Sequence, residues 1–241
     1  MIAVNIKNLT KEFIIPHQKK TSIRENFVNL FRKSGYEVFN AVDNISFELK
    51  KGEFFGIIGK NGSGKSTLLK LIANIYKGTK GSVDVEGKLV PFLELGIGFN
   101  PELTGRDNVY LNGAILGLKK HQIDERYNKI VEFAELGRFM DQKLKNFSSG
   151  MQSRLAFSVA LEVDADIYLL DEVLAVGDIN FQEKCLKVFN KLKESGKTVI
   201  LVSHGLSSIE NFCDRVLVMK NGKQVYLGDA KMAIEEYTKN C

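Results

Sequence analysis

Apolar and polar positions change their period several times along the chain. Residues 2–7 (IAVNIK) and 42–49 (VDNISFEL) alternate as half-buried strands do. Residues 53–58 (EFFGII) form instead a short apolar run ending in isoleucines, with Gly59 next, the pattern of a central strand covered on both faces. The segment 65–75 (KSTLLKLIANI) reads as a helix, and Gly78, Gly81 and Gly87 then punctuate a stretch with short strands near 82–85 and 88–93. From about 104 to 162 the spacing is helical, with Ile123, Tyr127, Ile130, Val131 and Ala134 on one face. Strands return at 167–170 (IYLL), 198–202 (TVILV) and 215–219 (RVLVM). The helix between the first two carries an apolar stripe of Phe181, Cys185, Val188, Phe189 and Leu192. Ser207 followed by Glu210 predicts a helix start of the capping-box kind, and Asn221-Gly222 predicts a tight hairpin. The order of elements is that of an α/β core with a helical insertion.

Residues 16–40 interrupt this pattern as an insert. Ile23, Phe27, Leu30 and Phe31 fall there at helical spacing, among Lys19, Lys20, Arg24, Arg32 and Lys33. A basic amphipathic segment of this kind suits the headgroup zone of a membrane or a lipid pyrophosphate; packing on the domain's own side is the competing expectation. The glycine-rich stretch from Pro91 to Pro101, with Phe92, Leu93, Leu95, Ile97 and Phe99, is too apolar for a free loop and is expected to pack on a lobe or a partner.

With 241 residues, 44% hydrophobic and 26% charged, the chain fits one α/β domain. No run approaches the roughly 18 apolar residues of a membrane span, and the start is not expected to be a secretory signal. A net charge of +5 suits nucleotides or anionic headgroups as well as an ordinary solvated surface. Cys185, Cys213 and Cys241 have no metal-ligand spacing and are expected to be reduced, two of them buried.

Four elements carry chemistry. Gly59-Lys60-Asn61-Gly62-Ser63-Gly64-Lys65-Ser66, followed by Thr67, fits a phosphate loop between a buried strand and a helix. Glycines let backbone N–H groups face phosphate oxygens, and the helix N-terminus adds its positive end. Lys65 is expected to reach the β- and γ-phosphates and Ser66 to coordinate Mg²⁺. In the second element, an apolar strand ends in Asp171-Glu172: Asp171 for Mg²⁺, Glu172 to polarise the attacking water. The third is His204 after the strand TVILVS, a candidate γ-phosphate sensor; His17 and His121 lack such a context and are expected at the surface. The fourth is Asn146-Phe147-Ser148-Ser149-Gly150-Met151-Gln152-Ser153-Arg154, ahead of the acidic strand.

With these parts assembled, the fourth resembles the ABC signature Leu-Ser-Gly-Gly-Gln, and the chain resembles the nucleotide-binding subunit of an ABC transporter nearly end to end. The resemblance implies a P-loop NTPase core of ABC type with an antiparallel β subdomain and a helical subdomain at about 95–162, all within one domain spanning 1–241. It implies ATP and Mg²⁺, turnover by Glu172 and His204 with Lys65, and a homodimer that sandwiches ATP. Ser148 and Gly150, with Ser149 between them, would then bind the nucleotide held by the opposite copy. Ser149 and Met151 depart from the family pattern. Asp178 matches the acid of the family's dimer-contact loop. Phe13 takes the place of the aromatic that stacks on adenine, with Phe39 the second candidate because the insert displaces the usual geometry. No glutamine occurs where the family has its glutamine loop, and Glu94 is the nearest equivalent for metal contact.

Ser-Ser-Gly-Met, the run Asp171 to Asp178 (DEVLAVGD) and the run Leu93 to Arg106 (LELGIGFNPELTGR) resemble one subfamily. It is the ATPase that powers export of O-antigen polysaccharide or wall teichoic acid on a lipid carrier. The implied setting is peripheral, on the cytoplasmic side of the cytoplasmic membrane, beside a polytopic permease, with no nucleic-acid partner. A drug or lipid exporter, and a soluble ABC ATPase acting on nucleic acid or ribosomes, are the alternatives.

Overall fold

The computed structural model describes residues 1–16, 36–92, 96, 98–171, 177–203 and 205–240. Strands β1 (Ile2–Pro16), β2 (Tyr36–Lys50) and β4 (Lys80–Val85) form an antiparallel sheet in the order β2-β1-β4. A second sheet runs β5-β6-β7-β3-β8-β9, comprising β3 (Phe54–Ile58), β5 (Leu89–Phe92), β6 (Ile167–Asp171), β7 (Thr198–Val202), β8 (Arg215–Lys220) and β9 (Lys223–Asp229). Its neighbours are parallel except for the β8–β9 hairpin.

Period-two alternation divides this sheet between two cores. Phe55, Ile57, Ile167, Leu169, Ile200, Val202, Leu217 and Met219 face helix α1 (Lys65–Ile72) and the antiparallel sheet. Phe54, Ile58, Phe92, Tyr168, Leu170, Leu201 and Val218 face the helices on the other side. Helix α1 lies between the two sheets and buries Leu68, Leu69, Leu71 and Ile72, each contributing roughly 1.5–3 kcal/mol. That burial fixes the start of α1, and with it the loop that precedes it.

The helical lobe comprises α2 (Gly105–Ile115), α3 (Lys120–Ala134) and α4 (Ser149–Leu161). Thr104 and Asp107 cap α2 reciprocally. Within this lobe the fully buried Asn108 amide donates to the carbonyls of Asn100, Leu103 and Thr104 and accepts from the Asn100 N–H, organising the loop ahead of α2. Helices α5 (Ile179–Glu194), α6 (Leu206–Phe212) and α7 (Ala230–Asn240) are the remaining α-helices of the described residues.

Two boundaries differ from the sequence reading. Pro16 and residues 36–40 belong to the β1–β2 ribbon, whose far end leaves Ile14, Tyr36 and Val38 exposed; only 17–35 of the insert, with its five cations, lies outside the described residues. Helix α6 starts after Gly205 instead of at Ser207, because the Ser203 hydroxyl accepts the Gly205 N–H and turns the chain two residues earlier. Cys185 and Cys213 are buried as expected; burial pushes both thiols up to about 12, which removes them from thiolate chemistry near neutral pH.

Candidate functional site

The loop from Gly59 to Gly64 connects the buried β3 to the N-terminus of α1. Lys65 is 6% exposed, and its ammonium donates to the carbonyls of Gly59 at 2.7 Å and Lys60 at 3.0 Å, inside the curve of the loop. Gly64, the N-cap of α1, has φ +103, and a Cβ there would stand 2.1 Å from the Ala41 carbonyl oxygen, so no other residue fits. The Ser63 hydroxyl is buried and has no hydrogen-bond partner among the described residues. An open cleft of about 320 Å³ adjoins the loop, lined by Asn61, Gly62, Gly64, Lys65, Ser66 and Thr67, and on its other wall by Phe39 and Ala41 of β2.

Parallel pairing sets the acidic strand end on the same sheet edge. Val202 of β7 is level with Ile57 of β3 on one side and with Asp171 of β6 on the other. Asp171 therefore stands two strand spacings from the loop strand, about 10 Å across the carboxyl edge of the sheet, with β7 between. This is the edge at which open α/β sheets bind ligands. Asp171 is half-buried, and Ser66 is exposed at the first turn of α1. Glu172, His204 and Glu94 lie outside the described residues; in sequence the first two directly follow Asp171 and Ser203. His121 is exposed, as expected.

The signature-like segment forms the N-terminus of α4. Ser148 is the N-cap, its hydroxyl accepting from the Met151 N–H at 3.2 Å, which leaves the hydroxyl proton available to a ligand. A Cβ on Gly150 would meet only the Ser148 Oγ, at 3.9 Å, so the described packing does not demand glycine there. Gln152 folds back onto the carbonyls of Leu144 and Phe147 and holds the turn before the helix.

The sequence profile of the family described as "ABC transporter" matches residues 42–175. The chain belongs to the ABC transporter family. It is 44% identical, over 97% of its length and 96% of the relative's, to "O-antigen export system ATP-binding protein RfbB" of Klebsiella pneumoniae. It is 39% identical to "Teichoic acids export ATP-binding protein TagH" of Bacillus anthracis, over 97% of this chain and 42% of that one. Among solved structures it resembles the ATP-binding cassette MJ0796 in a dimeric post-hydrolysis state bound to ADP and Pi, with a TM-score of 0.75 and 27% identity over 94% of this chain and 98% of that one. The α/β cassette fold expected from the sequence is thus borne out, and the chain is an ABC ATPase.

Within this ABC cassette the two aromatic candidates separate. They are paired across the ribbon, but Phe39, 46% exposed, lines the cleft, whereas Phe13 packs edge-on against Tyr76 at 5.8 Å beneath Lys11. Asp178 caps α5 by accepting the Phe181 N–H at 3.0 Å.

A contributor that the sequence reading took only for a hairpin is Gly222. Its N–H donates to the Ser63 carbonyl at 3.0 Å and its carbonyl accepts from the Asp43 N–H at 2.8 Å, joining the β8–β9 turn, the phosphate loop and β2. It has φ +78, and a Cβ would lie 2.8 Å from the Asn40 carbonyl oxygen. Gly222→Ala is expected to cost about 1–3 kcal/mol, lowering the melting midpoint by roughly 2–4 °C per kcal/mol. An unchanged midpoint in a thermal melt would show that this contact does not hold the loop.

Proposed function

We propose that this chain powers export of a lipid-linked polysaccharide, of O-antigen or teichoic-acid type, as the ATP-hydrolysing subunit beside a separate polytopic permease. The observation that carries the substrate class is the near end-to-end 44% identity to an O-antigen export ATP-binding protein. No helix of the described residues is long and apolar enough to cross a membrane; in this reading the polymer's path lies in the permease. The chain docks peripherally at the cytoplasmic face of the cytoplasmic membrane.

In this reading two copies face each other head to tail. Each ATP lies between the phosphate loop of one copy and Ser148 and Gly150 of the other, with Ser149 and Asp178 beside it. Loop residues Gly59 to Gly64 and the first turn of α1, Lys65 to Thr67, turn backbone N–H groups toward the phosphates, and Lys65 reaches the β- and γ-phosphates from inside the curve. The Ser63 hydroxyl, buried and without a partner among the described residues, supports a ligand rich in acceptor oxygens. Gly150 supports the contact in trans, since a neighbour approaching from outside explains a glycine that the chain's own packing leaves uncrowded. The adenine stacks on Phe39, not on Phe13, because Phe39 forms the cleft wall.

Ser66 and Asp171 present hard oxygen donors, the set that Mg²⁺ takes together with phosphate oxygens, and Glu94 is the third candidate on sequence grounds. When bound, the ion neutralises charge on the phosphates. Glu172 accepts the proton of the attacking water and His204 holds that water against the γ-phosphate. Loss of the γ-phosphate removes the contact bridging Lys65 of one copy and Ser148 of the other, and the dimer opens.

The substrate class is tested in proteoliposomes holding the cassette with its permease. Lipid-linked glycan is expected to raise ATP hydrolysis severalfold over empty vesicles, and free glycan or hydrophobic drugs to leave it unchanged. Stimulation by drugs alone would move the chain to the non-sugar exporters.

A further inference from the structure

Arg154 lies on α4, downstream of the Ser148 cap, with its side chain 14% exposed. Each guanidinium nitrogen serves a different partner. Nε donates to the Ala134 carbonyl at 3.1 Å, Nη2 to Glu135 Oε2 at 2.5 Å and Nη1 to Asp178 Oδ2 at 3.4 Å. The guanidinium carbon sits 5.0 Å from the centre of the Phe181 ring. Three helices therefore meet on one side chain: the end of α3, the signature helix α4 and the start of α5.

The surroundings tighten this junction. Glu135 closes α3 in the left-handed region at φ +57, unusual for a glutamate, and Lys184 of α5 also donates to its carboxylate. Lys184 first, then Arg154, hold the Glu135 carboxyl below the usual carboxylate range, which favours its charged form. Asp178 divides its two oxygens, Oδ1 capping α5 and Oδ2 facing Arg154.

We propose that Arg154 is a positioning residue for hydrolysis, its fork fixing the Asp178 end of α5 against the start of the signature helix so that both reach the facing copy in register. This rests on the ATP-sandwich reading above. A planar fork with fixed donors can hold three partners on two other helices at once; a lysine ammonium, a compact point charge, does not match that fixed geometry. Charge alone is therefore not sufficient at this position.

The test compares the full chain with R154K, D178N and R154K/D178N, by steady-state ATP hydrolysis, titration with a fluorescent ATP analogue and thermal melting. D178N keeps the cap, since asparagine caps as well as aspartate, and removes the ion pair. R154K is expected to lower kcat by about tenfold or more, as a misplacement of about 1 Å can, with ATP affinity and KM within about twofold of wild type because the phosphate loop is not touched. D178N should lose kcat similarly, and the double variant no more than the worse single one, because both act through one contact. Wild-type kcat in R154K overturns the proposal, as does a double variant that loses the product of the two effects. A fall in ATP affinity matching the fall in kcat also overturns it, by making Arg154 part of the nucleotide-binding fold. Should R154K melt far below wild type, the coupling of E135Q with D178N gives the same readout. Dimerisation of Glu172→Gln with ATP, measured alongside, separates the two readings. A dimer together with unaffected R154K turnover removes only the role of Arg154; a monomer removes the sandwich and this role with it.

Discussion

Glu172→Gln is expected to bind ATP with near-normal affinity, to lose turnover by roughly 10²–10⁴-fold and to accumulate as a closed dimer. In the proposed site the phosphates are held by the loop and by α1, which the substitution leaves alone, so binding is expected to survive. What is lost is the acceptor for the water proton, because a glutamine amide is not a base at neutral pH. With hydrolysis blocked, the proposed γ-phosphate bridge between Lys65 of one copy and Ser148 of the other is expected to persist. Sedimentation with and without ATP, beside a steady-state assay, checks both parts. A variant that turns over normally and stays monomeric would remove both the base and the sandwich.

Lys65→Ala is the second large effect. The ammonium is buried against the Gly59 and Lys60 carbonyls, where in the proposed site it meets phosphate charge directly. A charge-assisted hydrogen bond contributes about 1.5–3 kcal/mol, so ATP affinity should fall roughly 10–100-fold. Thermal melting of the apo variant separates this from unfolding: the two loop carbonyls lose a donor, but the α1 core of Leu68, Leu69, Leu71 and Ile72 is untouched. Unchanged ATP affinity in a nucleotide titration would contradict the phosphate-loop assignment.

Much of this molecule is legible in its sequence because burial imposes its periods. The β3 run Phe54 to Ile58 reads as a covered strand and is buried throughout. The stripe of Phe181, Cys185 and Phe189 reads as one helix face and is the buried face of α5. The extended β1–β2 ribbon was not legible at its far end, because Ile14, Ile15, Tyr36 and Val38 are exposed there and carry no alternation of burial to read. The preference proposed for Phe39 over Phe13 rests on the cleft lining, because the two are direct partners across the ribbon and a linear motif does not show which of them the phosphate loop faces. Gly222 looked like turn chemistry because its partners, Ser63 and Asp43, are remote in sequence and bond through backbone atoms. The Arg154 junction was hidden for a related reason, since its partners lie on two other helices. The sheet puts β7 between Asp171 and the loop strand while keeping both on one edge, an arrangement that only the strand order reveals.

The most direct test of the central claim is capture of Glu172→Gln with ATP from detergent-solubilised membranes, identifying the bound proteins and lipids by mass spectrometry. The expected result is a polytopic membrane protein carrying lipid-linked sugars, recovered with ATP and lost when Lys65→Ala is added. Recovery of soluble or ribosomal partners alone, with or without ATP, would contradict polysaccharide export and leave only the ATPase.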